Sequence, residues 1–278
     1  MKKLSWIVCV IVVLSTLFVV SLFVGHGRPS SKHYDHKLTI MTYNTHRMGE
    51  FEKPDKNRVL LYLQRQNADV ICLQEVEVYK EKKYLTLNEL KQALSQYPYT
   101  YFDFSVYNSR RQFGNAVFSR YPLINKQTIR YASRSNISSQ CDIVVGDDTL
   151  RLITNHLESN RVVHIDSTLM DKLEAARSIR HNQAKAIRQA RLSSAYPLLI
   201  LGDFNDIALS YTYLTIRGMM RDCFLSTNLG RLGNTYERHH LGVRIDYILC
   251  SRDLHPVECH VEHVRHSDHY PVVATIGW

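Results

Sequence analysis

Leu198-Leu-Ile-Leu-Gly-Asp-Phe-Asn205 decides the reading: an aliphatic run meets a glycine and stops on an aspartate and an asparagine. An apolar stretch this short, closed by Gly, suits a strand buried on both faces. Its acid and its amide then fall where the strand ends. The same design recurs in Leu38-Thr-Ile-Met-Thr-Tyr-Asn44, Asp69-Val-Ile-Cys-Leu-Gln-Glu75, Leu150-Arg-Leu-Ile-Thr-Asn-His156, Arg244-Ile-Asp-Tyr-Ile-Leu249 and Ser267-Asp-His-Tyr-Pro271. One such ending is ordinary turn chemistry, because Asp and Asn side chains bond nearby backbone and tolerate unusual dihedrals. A series of them carrying acids, amides and imidazoles, with no lysine among them, describes a site assembled from many strand ends.

Carboxylates and a carboxamide suit a hard cation such as Mg²⁺ or Mn²⁺. A histidine beside an aspartate suits proton transfer, or an imidazolium that stabilises developing negative charge. Other chemistries lack their motifs: the chain has no Gly-x-Ser-x-Gly elbow, no Gly-x-x-x-x-Gly-Lys loop, no His-Glu-x-x-His and no Cys-x-x-Cys. His255, His260, His263 and His266 alternate with Val257, Val261 and Val264, which reads as a strand with a polar face rather than a metal tract.

The order and wording of these runs resemble the endonuclease/exonuclease/phosphatase superfamily, with its deoxyribonuclease I-like, exonuclease III-like and neutral sphingomyelinase-like branches. The resemblance covers roughly Lys37 to Trp278. It rests most on Leu73-Gln-Glu75, Gly202-Asp-Phe-Asn205 and Ser267-Asp-His269, and more weakly on Tyr43-Asn44, Gly114-Asn-Ala-Val-Phe-Ser-Arg120, Asn155-His-Leu157 and Ile245-Asp246. It implies a phosphodiester substrate, either nucleic acid or a phospholipid head group, hydrolysed with Mg²⁺, or Mn²⁺, by direct attack of water. Glu75, Asn44 and Asp268 are the metal ligands it implies. Asp203 would orient or deprotonate the water, Asn205 hold a phosphate oxygen, His269 touch the scissile phosphate, Asp246 fix the His269 tautomer, and His156 protonate the leaving oxygen. No protein partner is implied.

Ahead of this region, Met1-Lys-Lys precedes an uncharged run from Leu4 to Val24, long enough to cross a bilayer as a helix. It lacks a small-residue cleavage site, so an uncleaved signal anchor is expected over residues 1–24. Lys2 and Lys3 favour a cytoplasmic amino terminus, opposed by Arg28, Lys32 and Lys37. The catalytic domain, residues 37–278, would then face the periplasm or the exterior on a linker over 25–36.

Alternating strand-like and helix-like stretches imply an α/β fold with two packed sheets. The resemblance implies a four-layer α/β/β/α sandwich of two mixed sheets flanked by helices; periodicity alone also admits three layers. Helices are expected over 56–66, 85–96, within 166–194 and over 207–217. In the long one Arg177, Arg180, Lys185, Arg188 and Arg191 form a basic, solvated face. Thirty-five basic against 26 acidic residues, a net charge of +9, would attract DNA, RNA or anionic lipid alike. Arg47, Arg110, Arg111 and Arg134 lie in loop-like positions where substrate-holding groups often sit. The stretch with Tyr99, Tyr101, Phe102, Phe104 and Tyr107 reads as packing, with base stacking as the alternative. Five cysteines after the anchor, irregularly spaced, are no disulfide framework, although Cys250 and Cys259 could meet across neighbouring strands.

Overall fold

The computed structural model describes the chain except residues 1, 50–53, 132, 134, 161–167 and 239–240; side chains of residues 2–11, 18, 54, 238 and 241 are also outside the description. In chain order the strands are β1 (Lys37–Asn44), β2 (Val70–Tyr79), β3 (Tyr99–Tyr107), β4 (Arg111–Ser119), β5 (Leu123–Arg130), β6 (Ile137–Val145), β7 (Asp148–His156), β8 (Leu198–Asp203), β9 (Arg221–Asp222), β10 (Tyr236–Arg238), β11 (Leu241–Val243), β12 (Asp246–Cys250), β13 (His255–Val261) and β14 (Val272–Gly277). The helices are α1 (Lys2–Phe23), the single turn α2 (His46–Gly49), α3 (Arg58–Leu63), α4 (Leu87–Ala93), α5 (Leu169–Leu192), α6 (Tyr211–Arg217) and α7 (Cys223–Thr227).

Two six-stranded sheets run β13-β14-β1-β2-β4-β3 and β5-β6-β7-β8-β12-β9, beside a β10-β11 hairpin. Both large sheets are mixed: β1 lies parallel to β2 and β7 parallel to β8, while their other neighbours are antiparallel. Side chains alternate between faces with period two. Thus Leu38, Ile40, Val70 and Cys72 pack against Leu152, Leu199, Leu201 and Ile248 between the sheets. Met41, Tyr43, Ile71 and Leu73 turn the other way, onto Leu60 and Leu63 of α3 and Leu90 of α4. On the far side Ile153, Ile200 and Leu249 meet Ile187 of α5 and Tyr213 and Ile216 of α6. Burial on both faces makes these strands continuous apolar runs, each large side chain contributing about 1.5–3 kcal/mol.

Local chemistry sets the helix starts. Thr86 and Glu89 form a reciprocal capping box on α4, and Asn57, Ser210 and Asp222 cap α3, α6 and α7 through their side chains. The expected basic face of α5 contains one exception. Arg180 is buried, donating to the Glu158 carbonyl at 2.9 Å and to Asp206 at 3.2 Å, because Asp206 and the end of β7 lie under that side of the helix. Of the aromatic stretch in β3, Tyr101, Phe102 and Phe104 pack against the two cores, while Tyr99 and Tyr107 are exposed. Cys72, Cys141, Cys223, Cys250 and Cys259 are buried free thiols.

Among the described residues no helix is long and apolar enough to cross a membrane. Residues 4–11 of the expected span lie outside the described side chains. Residues of the segment expected as a linker, 25–36, lie against the domain. Gly25 bridges to Leu229, His26 N and Gly27 N donate to the Leu225 carbonyl at 2.8 and 3.0 Å, and Ser30 N donates to the Val257 carbonyl at 2.7 Å. Glycine is what allows this contact: a Cβ on Gly25 would sit 1.9 Å from the Asn228 carbonyl oxygen.

Candidate active site

The pairing registers bring the strand ends together. Asn44 is level with Gln74 across β1 and β2, His156 with Asp203 across β7 and β8, and Asp246 with Asp203 across β12 and β8. All lie at one edge of the two sheets. Gly202 makes the last step possible, since at φ 118° a Cβ there would meet the Asn155 carbonyl oxygen at 2.2 Å.

Glu75 reaches the same edge through an irregularity. The β2–β4 register shifts between Leu73 and Val76, and Glu75 adopts φ 53°. A bulge of this kind exchanges the faces of everything beyond it. Val76 and Val78 therefore continue the helix-covered face of Ile71 and Leu73. Glu75 is freed toward the cleft.

Hydrogen bonds and close ion pairs gather the eight expected residues into two groups. In the first, His269 Nδ1 lies 2.9 Å from Asp246 Oδ2, and its Nε2 lies 3.8 Å from Asp203 Oδ2. Asn205, itself at φ 51°, donates its backbone N to Asp203 Oδ1 at 2.7 Å and its side-chain amide to Oδ2 at 3.0 Å. That amide also donates to the Leu157 carbonyl at 2.9 Å, so both its hydrogens are used in holding Asp203 and the chain. In the second, His156 Nε2 is 3.3 Å from Glu75 Oε1, and Asp268 Oδ1 is 3.1 Å from His46 Nδ1. Asn44 ties the groups together, its amide donating to Asp203 Oδ2 at 3.0 Å and to Glu75 Oε1 at 3.4 Å.

Charge follows geometry. Burial works against the imidazolium of His269, but Asp246 and Asp203 outweigh it and push the group up to about 10. Burial, then the Asp246 charge, raises the Asp203 carboxyl to about 6 against the pull of His269 and His156. Glu75 is opposed by burial yet held down to about 2 by His156, Asn44 and His269. His156 is correspondingly raised by Glu75 despite its burial. Asp268 is lowered by His46 and His269, again against burial.

The donor set allows a test for a cation. Asp203, Asp246 and His269 lie closest, with ligand atoms within 4.8 Å of one another. Both Asp203 oxygens are committed to Asn205 and Asn44 and Asp246 Oδ2 to His269, while Asp246 Oδ1 is sealed in without a hydrogen bond among the described residues. Among the described residues Glu75 and Asp268 bond only through Oε1 and Oδ1, which leaves Oε2 and Oδ2 as oxygen donors at the open side of the cleft. With Asn44 between Glu75 and Asp203, this side has the hard, partly hydrated character that suits Mg²⁺.

Two neighbours of the site, Thr235 and Glu77, carried no signal in the sequence reading. Thr235 Oγ1 accepts from Asp246 N at 3.0 Å, and Ser267 Oγ donates to the Asn44 carbonyl at 2.9 Å. Arg47 and Arg111 both pair with the buried Glu77, Arg47 at 3.7 Å. They line a cavity of about 420 Å³ with Glu75, His156, Phe113 and Asn136. Arg134 lies outside the described residues.

No curated protein matches this sequence. The family model for the endonuclease/exonuclease/phosphatase family matches residues 41–269. Among solved structures the chain is similar to an endonuclease/exonuclease/phosphatase from Beutenbergia cavernae (18% identity, 87% of this chain and 71% of that one, TM-score 0.66). It is also similar to a humanized D. rerio TDP2 (16% identity, 87% and 99%, TM-score 0.64) and to a beta toxin of Staphylococcus aureus (16%, 85% and 99%, 0.59). These identities speak for the fold, and the family match spans all eight site residues. The chain belongs to the endonuclease/exonuclease/phosphatase family.

Proposed function

We propose that this chain is a divalent-metal-dependent phosphodiesterase, endonuclease-like in its substrate, in which an activated water attacks phosphorus directly. The observation that carries the reading is the buried Asp246–His269–Asp203 arrangement at the shared end of both sheets, beside the open oxygens of Glu75 and Asp268. A Mg²⁺ or Mn²⁺ ion held by Glu75, Asn44 and Asp268 would polarise the phosphate and offset the charge that builds on it.

The chain's own groups supply the rest. Asp203, poised near neutrality and fixed by Asn205 and Asn44, takes the proton of the attacking water. His269 stays an imidazolium, held by Asp246, and donates to a phosphate oxygen as negative charge develops. His156, protonated beside Glu75, delivers a proton to the leaving oxygen. Asn205 acts on Asp203 in this scheme, not on phosphate, because its amide hydrogens are taken. No covalent intermediate is needed, so a chirally labelled phosphorus should invert; retention would sink the mechanism.

Arg47 and Arg111 favour a substrate with further negative charge beside the scissile phosphate, as along a nucleic-acid strand. A lipid head group is the second reading, favoured by exposed Ile207, Leu209 and Tyr211 just beyond Asp206. Plasmid DNA, RNA, sphingomyelin, phosphoinositides and bis-p-nitrophenyl phosphate, each with Mg²⁺, Mn²⁺, Ca²⁺ or chelator, separate the two. Cleavage of nucleic acid that chelator abolishes is the expected result; a silent binding domain would hydrolyse none of them.

We also propose that α1 is an uncleaved signal anchor, with the amino terminus cytoplasmic and the catalytic domain outside the cytoplasm. The uncharged Leu4–Val24 sequence and the exposure of Val12, Val13, Leu14 and Leu17 support it. Protease added to spheroplasts should digest the domain; full protection would refute the orientation.

A further inference from the structure

Far from the catalytic edge, a cavity of about 440 Å³ opens at the foot of α1. Arg217 at the end of α6, Arg221 of β9, Arg252 just after β12, His26 and Met219 line it. Asp222 is the acid on this lining, and its carboxylate is already engaged: it takes Arg244 Nη1 at 2.6 Å, the Tyr213 hydroxyl at 2.8 Å and Leu225 N at 3.1 Å.

The arginines have no such partner. Arg221 Nη1 lies 2.8 Å from the Leu254 carbonyl oxygen and 2.9 Å from His255 Nδ1, and Arg252 Nε donates to the Met219 carbonyl at 3.3 Å. Arg217 Nε is buried and, among the described residues, has no hydrogen-bond partner. Among the described residues none of these three guanidiniums pairs with a carboxylate. A second cavity of about 240 Å³ shares Met219, Met220 and Arg252, and adds Asp253 and Arg191. Arg191 Nε is likewise buried without a bond, and burial followed by the nearby Arg188 charge disfavours its guanidinium. Guanidiniums gathered on one lining without a carboxylate to neutralise them suit an anion with several acceptor oxygens.

Position narrows the anion. His26, on the cavity wall, follows the end of α1 at Phe23 by three residues and is bonded through its backbone to α7. Above it Val12, Val13, Leu14 and Leu17 present an uncovered apolar surface. Met219, 66% exposed, adds an apolar lip to the basic cavity. A basic pocket just beyond an apolar helix stands at head-group level when that helix enters a bilayer.

We propose that this cavity binds the phosphate of an anionic phospholipid head group through Arg217, Arg221 and Arg252, with Met219 toward the acyl region. The proposal rests on the reading of α1 as a membrane anchor, and it would fix the catalytic domain against the bilayer by a second contact. Inorganic phosphate shares the same chemistry, so the test must separate the two sources.

The full chain in neutral maltoside micelles is titrated with dihexanoyl-phosphatidylglycerol, dihexanoyl-phosphatidylcholine and inorganic phosphate, and bound states are counted by native mass spectrometry. Saturable binding of phosphatidylglycerol is expected, at least tenfold tighter than either alternative. The double variant Arg217→Gln/Arg252→Gln should weaken it at least tenfold while melting temperature and hydrolysis of bis-p-nitrophenyl phosphate stay unchanged. Met219→Glu, at an exposed position, should weaken it by repulsion without burdening the fold. Equal binding of the two lipids, equal binding of inorganic phosphate, displacement by an oligonucleotide, or variants that bind like the parent would each overturn the proposal. Micelle binding reads the site whether or not α1 spans, and the spheroplast digestion reads the anchor, so the two can fail separately.

Discussion

Asp246, His269 and Asp203 are buried side by side, with Asp246 Oδ2 bonded to His269 and Asp203 held by Asn205 and Asn44; Glu75 and Asp268 are partly exposed and, among the described residues, each keeps an unpartnered carboxylate oxygen toward the open cleft. Charges in the first group are fixed before substrate arrives, and fixed charges act without reorganisation cost. The second group is finished only by something from solution. One half of the cleft is thus suited to moving protons and the other to accepting a cation and an anionic substrate.

The strongest way to break this distinction is to remove the fixed half. Asp203→Ala and His269→Ala should each lower kcat by roughly a thousandfold or more, the range expected for losing a general base or a preorganised donor. Far-UV circular dichroism should be unchanged. Turnover within tenfold of the parent would show that these side chains do not reach the reacting phosphate.

Removing a group from the open half should look different. Glu75→Gln keeps the size of the side chain and its contact with Asn44 while discarding the charge that would attract a cation. Apparent affinity for Mg²⁺ should fall about tenfold to a hundredfold, by analogy with weakened metal sites, and excess Mg²⁺ or Mn²⁺ should restore part of the activity. Asp203→Ala should not be restored. Rescue of both variants, or of neither, would erase the difference between the halves.

A pH profile sharpens the comparison within the fixed half. Asp203 must be charged to act as a base, so activity falls as pH drops through about 6. His269 must be protonated, so activity falls again as pH rises through about 10. The two groups are close enough that the limbs belong to the set and not to either residue alone. Asp246→Asn removes the largest influence that raises His269, and the alkaline limb should move down. An alkaline limb that stays in place would exclude His269 as its source.

How much of this was legible in the sequence follows the same division. Asn44, Asp203, Asp246 and His156 were readable because each stands at one end of a run buried on both faces, the last residue of β1, β8 and β7 and the first of β12, and registers across parallel and antiparallel neighbours align those ends. Periodicity did not reveal that β2 continues to Tyr79, because the bulge at Glu75 exchanges its faces and breaks the period of two. Glu77 was lost with it. The turn His46-Arg47-Met48 was equally opaque: all three have positive φ, and only His46 is of a type enriched there, too weak a signal beside Arg47 and Met48. β9, β10, β11 and α7 are too short to carry a period. The docked course of residues 25–36 depends on close approaches at Gly25 and Gly27, where composition alone reads as a flexible tether.

Arg111 gives the smallest test and the one that bears on substrate. Its guanidinium bonds the Glu77 carboxylate, which is buried, while about two-fifths of the arginine side chain stays exposed on the cavity beside Glu75. Glu77 therefore holds the arginine in place without covering it. Arg111→Gln should raise KM for an oligonucleotide several-fold with little change in kcat, since in the proposed reading the cation would contact a flanking phosphate and not the reacting one. The salt dependence of kcat/KM should become shallower by about one ion, the loss expected for a single phosphate contact. Bis-p-nitrophenyl phosphate has no flanking phosphate, so its kinetics should not move. If KM rises equally for both substrates, Arg111 supports the shape of the cleft and carries no information about a polyanion.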